Sequence, residues 1–137
     1  MAEILGGEPF LQADLHKLLD YFMFDPHPEL EFNIVTNLAL KPTVIAPILN
    51  KLAQLKEQGN LKRVDIQASI DCWDDAQEYV RHGLSLDVFE QNMNYMLEQK
   101  AYRIGLLSTM SSLTINGMPA LAEKFNKWNN KQELFWY

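Results

Sequence analysis

The stretch RVDIQASID (Arg63–Asp71) decides the fold, because it is a predicted strand that stands between helical segments on both sides. Before it, TVIAPILNKLAQLKEQG (Thr43–Gly59) predicts a helix that ends at a glycine, the residue preferred just past a helix C-terminus. After it, the sequence predicts a short helix at Asp74–Arg81 and a longer one, SLDVFEQNMNYMLEQK, at Ser85–Lys100. A strand flanked in this way is typical of α/β proteins.

The same alternation extends outward along the chain. Further strands are predicted at Ala2–Leu5, Leu30–Leu38 and Tyr102–Ser111, and further helices at Gln12–Phe24 and Asn116–Asn130. Such a repeat implies parallel strands joined by right-handed crossovers. The predicted fold is therefore α/β, a partial (β/α) barrel of about four βα units with a mostly parallel sheet. We expect four strands in the sequential order 1-2-3-4, with the helices on one face.

Composition limits the classes of protein that remain. The chain has 137 residues, of which 47% are hydrophobic and 22% charged, as expected for one globular domain. It has no apolar run of about 20 residues and no signal-peptide pattern, so we expect a cytoplasmic protein without a membrane partner. The net charge of −6 argues against a nucleic-acid partner. We treat residues 1–137 as a single domain.

Polar or glycine-rich residues follow each predicted strand, at the edge of a parallel α/β sheet where ligands gather. Four in succession favour a pocket over ordinary turns. The four strand tips are Gly6-Gly7-Glu8-Pro9, Thr36-Asn37, Ser69-Ile70-Asp71-Cys72 and Ser108-Thr109-Met110-Ser111.

These residues carry a resemblance to a known family. The opening EILGGEPFL resembles the end of the second strand of radical S-adenosylmethionine (SAM) enzymes, and NIVTNL resembles their third strand. VDIQASIDCWDDAQEYVRHG resembles their fourth strand and the loop after it, and RIGLLSTMSSLTINGMPALAEKFNKW their fifth strand and helix. The branch with SPASM or twitch extensions is the most similar in character, and the match covers nearly the whole chain.

The resemblance implies a SAM pocket at the strand tips. Gly6 and Gly7 would let the backbone approach the methionyl end, because glycine has no Cβ. Glu8 would accept hydrogen bonds from the ligand's ammonium group, and Arg81 would pair with its carboxylate. Ser69 and Asp71 would serve the carboxylate and ribose ends, while Asn37 and Thr109 would line the pocket.

Each of these residues also has a purely structural interpretation. The glycines suit a tight turn, Glu8 suits a first helical turn, and Asn37 and Asp71 suit turns. Ser69 is a small residue in a strand, and Arg81 could be a solvated surface arginine. The three histidines have no ligand spacing, so we assign no metal ligand, and we assign no catalytic residue.

The sequence also departs from the family. Radical SAM chemistry needs an iron–sulfur cluster held by three thiolates in a CxxxCxxC loop, and Cys72 is the only cysteine here. We therefore expect a fragment of a radical SAM core that is inactive alone, with weak or absent SAM binding. The 4Fe-4S cluster would belong only to a full-length parent. ELFWY (Glu133–Tyr137) resembles the start of another strand, so the domain is expected to be truncated at both ends. The alternative is a non-catalytic ligand-binding or protein-interaction α/β module.

A partial barrel would expose two sheet edges and an inner face, so we expect a homo-oligomer that covers them. The expected edges are the first strand and the fourth, Tyr102–Ser111, with the aromatic tail Phe135-Trp136-Tyr137 as a plug. Parallel strands are usually apolar on both faces. The residues expected on an apolar inner face are Ile34, Ile66, Ala68 and Leu106 or Leu107.

Overall fold

A computed structural model describes residues 1–4 and 6–137. Leu5, the last residue of the first predicted strand, lies outside the described residues. The strands are β1 (Ala2–Ile4), β2 (His27–Thr36), β3 (Leu61–Ser69), β4 (Arg103–Leu107) and β5 (Leu134–Trp136). The helices are α1 (Ala13–Phe24), α2 (Pro42–Glu57), α3 (Asp75–Val80), α4 (Leu86–Gln99) and α5 (Met118–Asn129). Short 3₁₀ turns stand at Pro9–Leu11 and Ile115–Gly117.

The five strands form one all-parallel sheet in the order β1-β2-β3-β4-β5. This topology confirms the predicted α/β class and partial (β/α)-barrel arrangement. The predicted count of four strands was one too low, because the tail pairs with β4 as β5. The second edge of the sheet is therefore β5, and the expectation that the fourth strand forms a free edge was wrong.

The second strand starts earlier than its sequence indicated. β2 begins at His27 and includes Pro28, whereas this strand was predicted from Leu30. The pairing of β2 with β3 shifts register between His27 and Glu31, around this proline. A proline has no N–H to donate to a ladder, so it is tolerated at such an irregularity.

Helices α1, α2, α4 and α5 form one layer on one face of the sheet, in which each contacts the next. Lys51 of α2 pairs with Asp20 of α1. The hydroxyl of Tyr95 in α4 donates to Asn50 Oδ1 in α2 at 2.6 Å. On the far side of α4, Phe89 packs against Trp128 of α5 with ring centroids 6.2 Å apart. Among the described residues, no helix is long and apolar enough to cross a membrane.

The core lies between this helix layer and the sheet. The even-numbered side chains of the central strands form its sheet side. Ile34, Ile66, Ala68 and Leu106 are fully buried there. The expectation that these four line an exposed inner face was therefore wrong, and of the candidates only Leu107 lies on the opposite, open face.

The open face of the central strands is mostly polar, with Val35 and Leu107 as its apolar side chains. A row of side chains in register crosses it from β1 to β4: Glu3, Asn33, Asp65 and Arg103. The Asn33 amide donates to Glu3 at 2.5 Å, and Arg63 Nε donates to Asp65 at 2.9 Å. Strand residues that alternate between apolar and charged are typical of a sheet covered on one face only.

Candidate functional site at the carboxyl ends of the strands

The loop after β1 brings Glu8 to the tip of β2. Gly6 and Gly7 have φ of +92° and +61°, in the left-handed region that glycine adopts without steric cost. The turn that they make places the Glu8 carboxylate where it accepts from the Thr36 hydroxyl at 2.8 Å and from the Asn37 N–H at 3.0 Å. Glu8 therefore fastens the first strand tip to the second.

Glu8 also caps the 3₁₀ turn Pro9–Leu11, accepting from the Phe10 N–H at 3.3 Å. Glu8 is thus the N-cap of this short turn and not an acid within its first turn, as the structural interpretation had placed it. A carboxylate has about four lone-pair positions, and three are used here. One acceptor position remains for a further donor.

Asp71 forms the centre of a second cluster, at the tips of β3 and β4. It is 6% exposed, and its carboxylate accepts from Arg81 Nε at 2.7 Å and from Arg81 Nη2 at 3.1 Å. It also accepts from the backbone N–H of Thr109 at 2.9 Å. Asp71 therefore joins the end of β3, the end of α3 and the loop after β4. Arg81 is not a solvated surface arginine, because only 30% of its side chain is exposed.

Gln77 stabilises the backbone of this cluster, and the sequence analysis did not identify Gln77 as a site residue. The side chain is fully buried, and its Oε1 accepts from the backbone N–H groups of Asp71 at 2.8 Å and Cys72 at 2.9 Å. These two hydrogen bonds stabilise the backbone turn in which the Asp71 carboxylate contacts Arg81. No motif marks Gln77, since a glutamine in a short helix ordinarily faces solvent.

The remaining predicted residues contribute less directly. The Asn37 side chain accepts from the Ala39 N–H at 3.0 Å, so Asn37 acts as a turn residue. Thr109 contributes its backbone N–H to Asp71. Ser69 is the last residue of β3 and lies opposite Leu107 on the open face. Within the described part of the chain, no side-chain hydrogen bond joins Ser69 to Glu8 or to Asp71.

Cys72 lies beside the second cluster but is chemically protected. Burial raises the pKa of its thiol to about 11, and a hydrogen bond from Sγ to Asp74 Oδ1 at 3.3 Å adds to the shift. The same Asp74 oxygen accepts from the Ala76 N–H at 3.0 Å and so caps α3. A thiol with this pKa stays protonated near neutral pH, and a protonated thiol is neither a nucleophile nor a metal ligand.

An iron–sulfur cluster does not fit the residues of this chain. Such a cluster needs three thiolates, and the sequence supplies one buried thiol. In residues 1–4 and 6–137, no group of three or more His, Cys, Asp or Glu side chains is placed to hold a metal ion.

Comparisons with known proteins returned no relative: no family model matches the chain, and neither a curated protein nor a solved structure does. The chemistry of the site therefore has to be judged from the residues themselves. They place a carboxylate at the β1–β2 tips and a guanidinium at the β3–β4 tips of one sheet edge. Asp71 holds the guanidinium at the tip of β3, the strand that neighbours the β2 tip held by Glu8.

Proposed function

We propose that the carboxyl edge of the sheet binds the amino-acid end of S-adenosylmethionine, as part of a pocket like that of radical SAM enzymes. The observation that carries the proposal is the pair of opposite charges at neighbouring strand tips. The Glu8 carboxylate is complementary to the ligand's ammonium group, and the Arg81 guanidinium is complementary to its carboxylate. Both charged groups are held in place by neighbouring strand tips.

Both groups keep unused hydrogen-bonding capacity. A guanidinium has five N–H donors in a rigid fork, and Asp71 engages Arg81 through Nε and Nη2 only. Glu8 retains one acceptor position beside Thr36 and Asn37. A Cβ built on Gly6 would meet no atom within 4 Å, so the turn beside Glu8 borders open space. These features support the fit of a small zwitterion.

The proposal is one of binding and assigns no chemical step to this chain. In radical SAM enzymes the cluster supplies the electron that cleaves the sulfonium, and Cys72 alone cannot hold it. We expect weak affinity, because Arg81 must share its charge between Asp71 and the ligand. We also expect a colourless protein without bound iron after anaerobic reconstitution.

A second candidate is a protein-interaction or ligand-binding module in which these polar residues only fasten strand tips. The bidentate bond between Asp71 and Arg81 favours it, because that ion pair is already satisfied without a ligand. Under the first candidate the amino-acid end of SAM contributes to its affinity, and under the second it does not. Binding measurements can therefore distinguish the two.

Calorimetry with three ligands separates the candidates. SAM and S-adenosylhomocysteine both carry the amino-acid end, whereas methylthioadenosine lacks it. The proposal expects the first two to bind with similar affinity and the third about tenfold or more weakly, as for the loss of a charge-assisted hydrogen bond. Equal binding of all three, or of none, would support the module instead.

Matched variants then locate the ligand. Glu8→Gln removes the charge with little change in shape, and should weaken SAM binding about tenfold. Glu98→Gln, the same change on an exposed position of α4, should leave it unchanged. Tight binding that survives Glu8→Gln would place the ligand elsewhere.

A further inference from the structure

A groove lies at the opposite, amino-terminal edge of the sheet, where β3 and β4 begin and α2 and α4 end. It is independent of the carboxyl-edge site. Five of its eight lining residues are cationic, namely Lys56, Lys62, Arg63, Lys100 and Arg103. The whole chain has twelve lysines and arginines and a net charge of −6. Nearly half of its cations therefore surround one depression in an otherwise acidic protein.

The nearby carboxylates do not neutralise this groove. Glu31 accepts ion pairs from Lys62 at 3.2 Å and Arg63 at 2.9 Å. Asp65 is shared by Arg63 at 2.9 Å and Arg103 at 3.9 Å. Glu57 adds a third acid near Tyr102 at the end of α2. Five cations and no carboxylate line the groove, and these three acids border it, so the groove keeps a positive surplus.

Two of the cations are free to bind an anion. Among the described residues, neither Lys56 nor Lys100 takes part in an ion pair. Both stand at helix C-termini, where cations also offset the helix dipole. That interaction is weak at an exposed site, so it does not prevent either ammonium group from contacting a ligand.

The backbone at the end of α4 adds a donor to the same groove. Gln99 is helical and Lys100 is left-handed, with φ of +52°. In the described residues, the N–H group of Ala101 donates to no backbone carbonyl at this helix end. By contrast, the N–H groups that follow α2, those of Gln58, Gly59 and Asn60, all return to carbonyls of the helix. A right-handed residue followed by a left-handed one forms a concavity of N–H groups that favours anions.

We propose that this groove binds a phosphate group, held by the Ala101 N–H group after α4 and by the Lys56 and Lys100 ammonium groups. Phosphate carries up to two negative charges and three acceptor oxygens, which matches a site with several converging donors. Arg63 and Arg103 lie at the border of the groove and are partly engaged by Asp65. They therefore contribute mainly to its positive electrostatic potential. The phosphate could be free or esterified to a nucleoside, since both present the same oxygens.

The variant that tests the groove is Lys56→Gln combined with Lys100→Gly. Glycine is favoured at a left-handed position after a helix, so Lys100→Gly removes a charge without weakening the fold. The control is Lys17→Gln combined with Lys127→Gln, which changes the net charge equally on exposed positions of α1 and α5. A fold defect in the test variant can then be recognised from its unfolding curve.

The experiment titrates pyrophosphate and adenosine monophosphate at low ionic strength and follows the amide resonances of Lys100 and Ala101. We expect saturable shifts for at least one ligand, and about tenfold or greater weakening in the test variant, with the control unchanged. The preferred ligand distinguishes free from esterified phosphate. Absence of saturable shifts, or equal weakening in both variants, would overturn the proposal. A single-stranded oligonucleotide that binds much more tightly than either ligand would replace it with a nucleic-acid surface.

Discussion

The Asp71 carboxylate accepts two hydrogen bonds from the Arg81 guanidinium, from Nε at 2.7 Å and from Nη2 at 3.1 Å. This ion pair closes the loop after β3 and holds Arg81 at the edge of the sheet where the proposed ligand binds. Its two members thus have a structural role and a proposed recognition role, and the two roles can be measured separately.

The structural role is tested by removing the cation. Arg81→Met leaves the buried Asp71 carboxylate with only the Thr109 N–H, and should lower the free energy of unfolding by about 2 kcal/mol. Asp71→Asn, which stays neutral and keeps an acceptor, should cost less. A double-mutant cycle should give a coupling of about 1–2 kcal/mol. The exposed pair Asp14–Lys17 is the control and should give less than about 0.5 kcal/mol. Equal coupling in both pairs would show that Asp71–Arg81 is no more than a surface pair.

The C-terminal residue depends on a glycine in β4. A Cβ built on Gly105 would lie 2.7 Å from Cε2 of Tyr137, so the absent side chain leaves room for the ring. Gly105→Ala should destabilise the fold by about 1 kcal/mol through overpacking, and Tyr137→Ala should remove most of that penalty. Urea unfolding of the two single variants and the double variant measures it. The same penalty in both backgrounds would mean that the ring does not lie over Gly105.

Stability should fall at alkaline pH. Burial raises the pKa of the Cys72 thiol to about 11 in the folded chain, above its ordinary value of 9.0. Between these values the unfolded chain loses its proton first, so unfolding is favoured as the pH rises. Burial also raises the pKa of Tyr102, which acts in the same direction.

The contribution of Cys72 should reach about 2 kcal/mol near pH 11. Urea midpoints between pH 7 and about pH 11 measure the loss. Cys72→Ala should make the urea midpoint depend less on pH, with only the contribution of Tyr102 remaining. Parallel curves for the wild type and Cys72→Ala would show that the thiol is not buried.

Self-association remains a prediction, but the structure changes the surface through which we expect it to occur. The open face is mostly polar, so the described central strands carry little of the apolar surface that was expected to drive association. The free edges are β1 and β5, each paired on one side only. Light scattering over a dilution series should show a dimer that dissociates on dilution. A wild type that stays monomeric at the highest concentration would contradict this.

The parallel order of the strands followed from the repeat of strand and helix, and the strand-tip residues followed from that order. The sequence analysis did not identify which face of the sheet the helices cover. Ile34, Ile66 and Ala68 were assigned to an open face from the general rule that parallel sheets are apolar on both faces. The alternation with Asn33 and Asp65 carried the correct signal, because polar and charged residues at every second position cannot all face a core.

The hydrogen-bond partners of the site residues were harder to predict from the sequence than the location of the site. Glu8, Asp71 and Arg81 were assigned to a ligand, and in the structure each has a partner in the chain itself. Such partners depend on tertiary distances that spacing does not encode, as for Gln77, whose amide contacts backbone N–H groups five and six residues earlier. The tail was interpreted as the start of a strand, and it pairs with β4 as β5.

The most direct test of the central claim is the amide spectrum of the labelled protein titrated with S-adenosylmethionine. The account predicts shifts confined to the carboxyl edge, at the amides of Gly6, Gly7, Asn37, Asp71 and Thr109, and their loss in Glu8→Gln. The amides at the starts of β3 and β4 should not move. No shifts at saturating ligand, or shifts confined to the amino-terminal groove, would contradict a SAM pocket at the strand tips.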